Sequence, residues 1–278
     1  MYRKGSVVSA DGTTIGFRQF GTGPGVILLH GSMLAAQDFM KLAEALADDF
    51  TVTVPDRRGR GLSGPHGIDY GIEREVEDVQ ALLKETDASR VFGLSSGALI
   101  GLRTARVTPA IEKLALYEPP LSINGSVPVD WVPRYRRELA DGRIAAALVS
   151  VLKGLEADRV FRTLPRFVLV PPLNLVFRFQ REAKGDDVPI PDLVPTMSAD
   201  MQLVGQLADT TDDYATVDAD VLLLGGSRSP AYFGCALEAL TGVLARSKRV
   251  TIPKLDHSGP TDDGGPSEVA QSLRDFFA

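Results

Sequence analysis

Short runs of apolar and β-branched residues recur along the chain at 15–20, 26–29, 51–54, 91–92, 114–117, 221–224 and 250–252. Between most of them, and after the last, apolar positions repeat at helical spacing over 35–48, 72–86, 98–106, 232–245 and 267–277. Strand–helix alternation of this kind predicts a mostly parallel central sheet with helices on both faces, because parallel neighbours need a crossover that a helix supplies. The first two runs are joined by only Gly-Thr-Gly-Pro-Gly at 21–25. A link that short predicts an antiparallel hairpin at the sheet's edge.

The alternation stops between about 121 and 217. Strand signals are few there, while 131–140, 143–156 and 196–207 read as helices punctuated by prolines at 128, 133, 165, 171, 172, 189, 191 and 195. The pattern divides the chain into a core, 1–120 and 218–278, and a helical cap inserted at 121–217. From 130 to 184 there are eleven Lys and Arg against six Asp and Glu, followed by a mainly acidic run to Asp220. Such charge suits a solvated surface on short helices; the alternative reading is a lid whose inner face meets the substrate. The apolar stretch 167–177 is too short to span a bilayer and is read as broken by its two prolines.

Composition narrows the class. A chain of 278 residues that is 44% hydrophobic builds a sizeable core without staples. The single cysteine, Cys235, excludes an internal disulfide, and its helical setting predicts a small buried hydrophobe. A net charge of −6 argues against nucleic acid as a partner. The first residues lack the apolar core of a signal peptide, so a soluble cytoplasmic protein with no membrane partner is expected. The glycines at 21–25 precede a strand and open no helix, which removes the geometry of a phosphate-binding loop. No His, Cys and Asp cluster has metal-ligand spacing, and no cofactor is implied. Oligomeric state is left open, a homo-oligomer included.

The candidate chemistry centres on Gly93-Leu94-Ser95-Ser96-Gly97, which follows the 91–92 run and precedes a helix. The Gly-x-Ser-x-Gly pattern fits one register, with Ser95 flanked at two residues on either side by Gly93 and Gly97. A serine on a sharp strand-to-helix turn needs small neighbours at those positions. Its hydroxyl needs a base to become a nucleophile. Of the three histidines, His30 ends a core strand and suits a loop brace, and His66 lies in a glycine-rich loop. His257 follows the 250–252 run, at the same end of the sheet as Ser95, and is the expected base. An oxyanion hole requires backbone N–H groups, one from the residue after the nucleophile and one from the loop after the third strand. Ser96 and Ser32 are the expected donors, with Met33 as the fallback. Met33 and Trp131 are the residues expected against an apolar substrate. The other aromatics of the insertion are expected mostly in the cap's own core.

With His30-Gly31-Ser32-Met33, Asp56-Arg57-Arg58-Gly59-Arg60-Gly61-Leu62-Ser63-Gly64, the Ser95 turn and the late His257, nearly the whole chain resembles the α/β-hydrolase superfamily. The resemblance implies an α/β-hydrolase fold, Asp56 and Arg57 as structural residues beside the turn, and a cofactor-independent hydrolase. One departure stands out: the family's usual acid position after the seventh strand is occupied by Ser229. Glu118 follows the preceding strand directly, and zearalenone-type lactone hydrolases are similar in having a glutamate there and a Gly-x-Ser-Ser-Gly-Ala turn. Glu118 is therefore the expected acid. Asp256 is adjacent to the base in sequence, and Asp212 and Asp213 are weaker candidates. The implied reaction is cleavage of a small apolar ester or lactone through an acyl-enzyme on Ser95. Carbon–carbon hydrolysis, acyl transfer, perhydrolysis and ligand binding without turnover remain alternatives on the same scaffold.

Overall fold

The computed structural model describes residues 2–156, 159–180 and 185–278. One sheet is built from β1 (Arg3–Val8), β2 (Thr14–Phe20), β3 (Gly25–Leu29), β4 (Thr51–Pro55), β5 (Ala88–Leu94), β6 (Lys113–Tyr117), β7 (Asp220–Gly226) and β8 (Ser247–Ile252). Its order is β1-β2-β4-β3-β5-β6-β7-β8. β1 with β2 and β2 with β4 run antiparallel, and every pair from β4 onward is parallel.

The hairpin expected between β2 and β3 does not form. β2 lies between β1 and β4, and β3 lies between β4 and β5. The turn at 21–25 instead carries the chain past β4. Gly21 has φ 66°, and a Cβ there would sit 2.2 Å from the Ala47 carbonyl oxygen, so only glycine lets the chain pass. β1 escaped the sequence reading because its Arg-Lys-Gly-Ser start is polar and largely exposed, as suits an edge strand.

The helices are α1 (Met40–Leu46), α2 (Ile72–Thr86), α3 (Ser96–Val107), α4 (Val132–Ala140), α5 (Ile144–Gly154), α6 (Arg159–Thr163), α7 (Arg166–Phe179), α8 (Ile190–Leu193), α9 (Met197–Gln206), α10 (Tyr232–Val243) and α11 (Pro266–Phe277). Successive side chains of β3 alternate between two cores, which places helices on both faces. Val26 and Leu28 join Leu42, Val269 and Leu273 from α1 and α11. Ile27 and Leu29 join Val76, Leu99 and Leu237 from α2, α3 and α10. The helices α4 to α9 all fall between β6 and β7. Within them, buried Glu138 of α4 accepts hydrogen bonds from Ser150 of α5 (2.5 Å) and Arg166 of α7 (2.5 Å).

Two readings are corrected at this level. Cys235 is exposed on α10, because the helix turns Phe233, Ala236 and Leu237 inward. The 167–177 stretch is helical within α7 despite Pro171 and Pro172. Both prolines lie on the exposed side, as do Phe167 and Val168, whose carbonyls lose their intrahelical donors and are left open to solvent rather than buried.

Candidate active site

Four sheet connections bring the candidate residues to the carboxyl ends of neighbouring strands. β5 turns into α3 at Ser95, whose φ of 55° and ψ of −123° are strained for a residue with a side chain. The Ser95 amide donates to the Tyr117 carbonyl at 2.9 Å, which ties the turn to β6. A Cβ on Gly93 would come within 2.4 Å of the Gly97 carbonyl oxygen, and one on Gly97 within 2.3 Å of the Leu29 carbonyl oxygen. These contacts are the physical reason for glycine on both sides of the turn.

Glu118 comes directly after β6, also at positive φ (49°). Its carboxylate is 1% exposed. One oxygen accepts from the Gly226 amide at 2.7 Å and the other from His257 Nδ1 at 2.7 Å. That bond assigns the ring proton to Nδ1 and leaves Nε2 free to accept one. The His257 ring also stacks on Phe233 at 4.2 Å between centroids, 14° from parallel. Asp256 points elsewhere: its carboxylate accepts from the Ser258 amide (2.9 Å) and hydroxyl (2.7 Å). Ser229 has a buried hydroxyl with no partner among the described residues.

Ser95 and His257 line one cavity of about 320 Å³, with Ser32, Met33, Val151 and Met201 among its other walls. No direct hydrogen bond joins Ser95 to His257 among the described residues; catalytic contacts of this kind often tighten only when substrate binds. Lysine and arginine are absent from the described lining, whose only carboxylates are Asp256 and Asp263. The Ser96 amide opens α3 and so has no intrahelical partner. Gly31 brings the Ser32 loop against the turn, since a Cβ there would lie 3.0 Å from Ser95 Cβ.

Trp131 is placed elsewhere. Its indole N–H donates to the Pro128 carbonyl at 2.9 Å, and its ring packs against Tyr135 and the Gly154 backbone, away from the cavity lining. A large aromatic with a satisfied N–H is well suited to joining α4 and α5. His30 is buried; its Nε2 accepts from the Arg57 amide at 3.1 Å, and burial pushes its pKa well below the ordinary value. It is therefore neutral. His66 sits edge-on to Tyr70 at 4.6 Å.

A buried charge network escaped the sequence reading. Arg57 donates to Glu75 of α2 at 2.8 Å and to Asp200 of α9 at 2.8 Å, and Arg60 donates to Asp200 at 2.5 Å. Burial alone would raise the Asp200 pKa, but the adjacent Arg60 and Arg57 guanidinium groups outweigh it and hold it at about 2. Arg57 was legible as part of the 56–64 loop. Asp200, 143 residues away from Arg57, carried no local signal.

A mostly parallel sheet carries a strained serine at one strand end and a carboxylate-bound histidine at another, on the carboxyl edge where open α/β sheets bind their ligands. The model of the alpha/beta hydrolase family matches residues 26–271, and the chain belongs to that family. A pimeloyl-[acyl-carrier protein] methyl ester esterase of Xanthomonas campestris pv. campestris is 27% identical, covering 93% of this chain and 96% of its own. A 2-(acetamidomethylene)succinate hydrolase of Mesorhizobium japonicum is 25% identical, over 95% of this chain and 91% of its own. The crystal structure of an alpha/beta hydrolase from Sphaerobacter thermophilus superposes with a TM-score of 0.77 at 30% identity, covering 99% of this chain and all of that one. The protein is thus an α/β-hydrolase enzyme.

Proposed function

We propose that the protein cleaves a small, uncharged, apolar ester or lactone through an acyl-enzyme on Ser95, without a cofactor. The observation that carries the reading is the 2.7 Å bond from His257 Nδ1 to the buried Glu118 carboxylate, in a ring that shares a cavity with Ser95. His257 Nε2 takes the Ser95 proton as Oγ attacks the carbonyl carbon. The Ser32 and Ser96 amides donate to the oxygen that becomes negative. His257 then protonates the leaving alkoxide, and water cleaves the acyl-enzyme by the reverse proton path. Glu118 holds the tautomer and stabilises the imidazolium. Each oxyanion donor supplies about 3 kcal/mol toward the barrier.

The cavity supports an uncharged substrate. One relative's named substrate is a succinate, whose carboxylates call for cationic partners. The described cavity lining offers no Lys or Arg. Small p-nitrophenyl esters and unsubstituted lactones are accordingly expected to turn over, with an initial burst of p-nitrophenol. Ser95→Ala abolishes both burst and turnover on this reading. Retained turnover in that variant overturns it. A vinylogous diketone cleaved faster than any ester or lactone would move the assignment to carbon–carbon hydrolysis on the same residues.

A further inference from the structure

We propose that Asp200 of α9 acts as a positioning residue for the oxyanion hole, working through Arg57 to the Ser96 hydroxyl. The inference rests on the reading of Ser95 as nucleophile and goes beyond it, since neither side chain touches substrate.

The second serine of the turn is fully buried and sits at a junction. Its hydroxyl accepts from Arg57 Nη1 at 3.0 Å and from the Ser32 hydroxyl at 3.2 Å, and the same Arg57 Nη1 donates to the Asp200 carboxylate at 2.8 Å. These three residues come from separate parts of the chain. Arg57 follows β4, Ser32 follows β3, and Asp200 belongs to α9. The two residues whose amides face the developing oxyanion are therefore joined to each other through their side chains. Both are joined in turn to a helix of the β6–β7 insertion.

The ion pairs do not need Ser96. Arg57 Nη1 reaches Asp200 directly at 2.8 Å, and the other Asp200 oxygen is taken by Arg60 at 2.5 Å. What the hydroxyl adds is a fixed orientation for the first residue of α3, directly after the strained Ser95. An amide that stabilises a transition state must be held within a few tenths of an ångström of its working position. Hydrogen bonds to charged partners, sheltered from water, are the strong kind that can hold it there. α9 also supplies Met201 to the cavity wall. Seating of this helix over the cavity and alignment of the Ser96 amide are thus linked through the Arg57 guanidinium.

Ser96→Ala tests the link with little disturbance to the fold, because Arg57 and Asp200 keep their direct bond. Expected is a fall in kcat of about tenfold with KM within about twofold. A trifluoromethyl ketone, which forms an oxyanion on the nucleophile, should lose affinity in proportion. The matching methyl ketone should not. Asp200→Asn should lower kcat in the same direction, and the double variant should lose less than the product of the two single effects. Wild-type kcat and wild-type trifluoromethyl ketone affinity in Ser96→Ala overturn the proposal.

Hydrogen exchange supplies a readout independent of turnover. Asp200→Asn should deprotect the 95–98 segment together with α9, whereas a merely structural role would loosen α9 alone and refute the link. Full activity in Ser95→Ala would remove the underlying nucleophile assignment, and the exchange result would still decide the coupling.

Discussion

At the residue scale, Ser95 and Ser96 are adjacent in sequence but differ in environment. One stands on a strained turn at the cavity, and the other is buried among charged partners. The acid assignment is open to the same comparison. Glu118→Gln should lower kcat/KM by 10²-fold or more, because the neutral amide no longer stabilises the imidazolium or enforces its tautomer. Asp256→Asn should stay within about threefold of wild type, since its carboxylate serves Ser258. Steady-state kinetics on one ester decides between them. Asp38 offers a test of a different kind. Burial raises its pKa from 3.8 to about 6, and Asp262 and Asp263 nearby add to the effect. The folded state thus binds a proton more tightly than the unfolded chain, and stability is lost as pH rises from about 4 to about 6. Asp38→Asn, which keeps an acceptor for the Ala35 amide, should be more stable than wild type at pH 7 by about 2 kcal/mol. That advantage should vanish near pH 4 in urea titrations.

At the element scale, the turn between β5 and α3 was legible because its requirement is local: small residues two positions either side of a serine. Gly97→Ala should cost about 2–4 kcal/mol in chemical denaturation, since the added methyl meets the Leu29 carbonyl oxygen. Gly205 makes the useful contrast. It lies inside α9, is exposed, and has no atom within 4 Å of a built Cβ. Gly205→Ala should stabilise by about 0.5–1 kcal/mol through the unfolded chain's lost freedom. The helices at 131–140, 143–156 and 196–207 were legible from their periodicity and match α4, α5 and α9 to within a few residues. α7 was not, because its prolines read as breaks when solvent exposure makes them tolerable. Its outer face leaves Phe167 and Phe179 78% and 81% exposed, a burial state no periodicity reports.

For the whole molecule, the buried group of Arg57, Arg60, Glu75 and Asp200 joins α9 to the core and makes acid stability a property of the assembly. Asp200 titrates near 2 when folded, against 3.8 for an ordinary aspartate. Between those values the unfolded chain binds more protons, so stability falls as pH drops from about 4 to about 2, by about 2 kcal/mol. Acid titration followed by circular dichroism should show this loss, and Asp200→Asn should lack it. Among the described residues no helix is long and apolar enough to cross a membrane. The amino-acid sequence by itself determined the alternation that builds the sheet, the serine turn and the late histidine, because each rests on side-chain period or on spacing within a few residues. The position of Glu118 after β6 was legible too, although its bond to His257 crosses 139 residues. Tertiary structure alone decided that β2 pairs with β1 and β4, that Trp131 belongs to helix packing, and that Asp200 meets Arg57 and Arg60. Those outcomes depend on which surfaces the folded chain buries against one another. Contacts between distant segments leave no periodic trace in either segment.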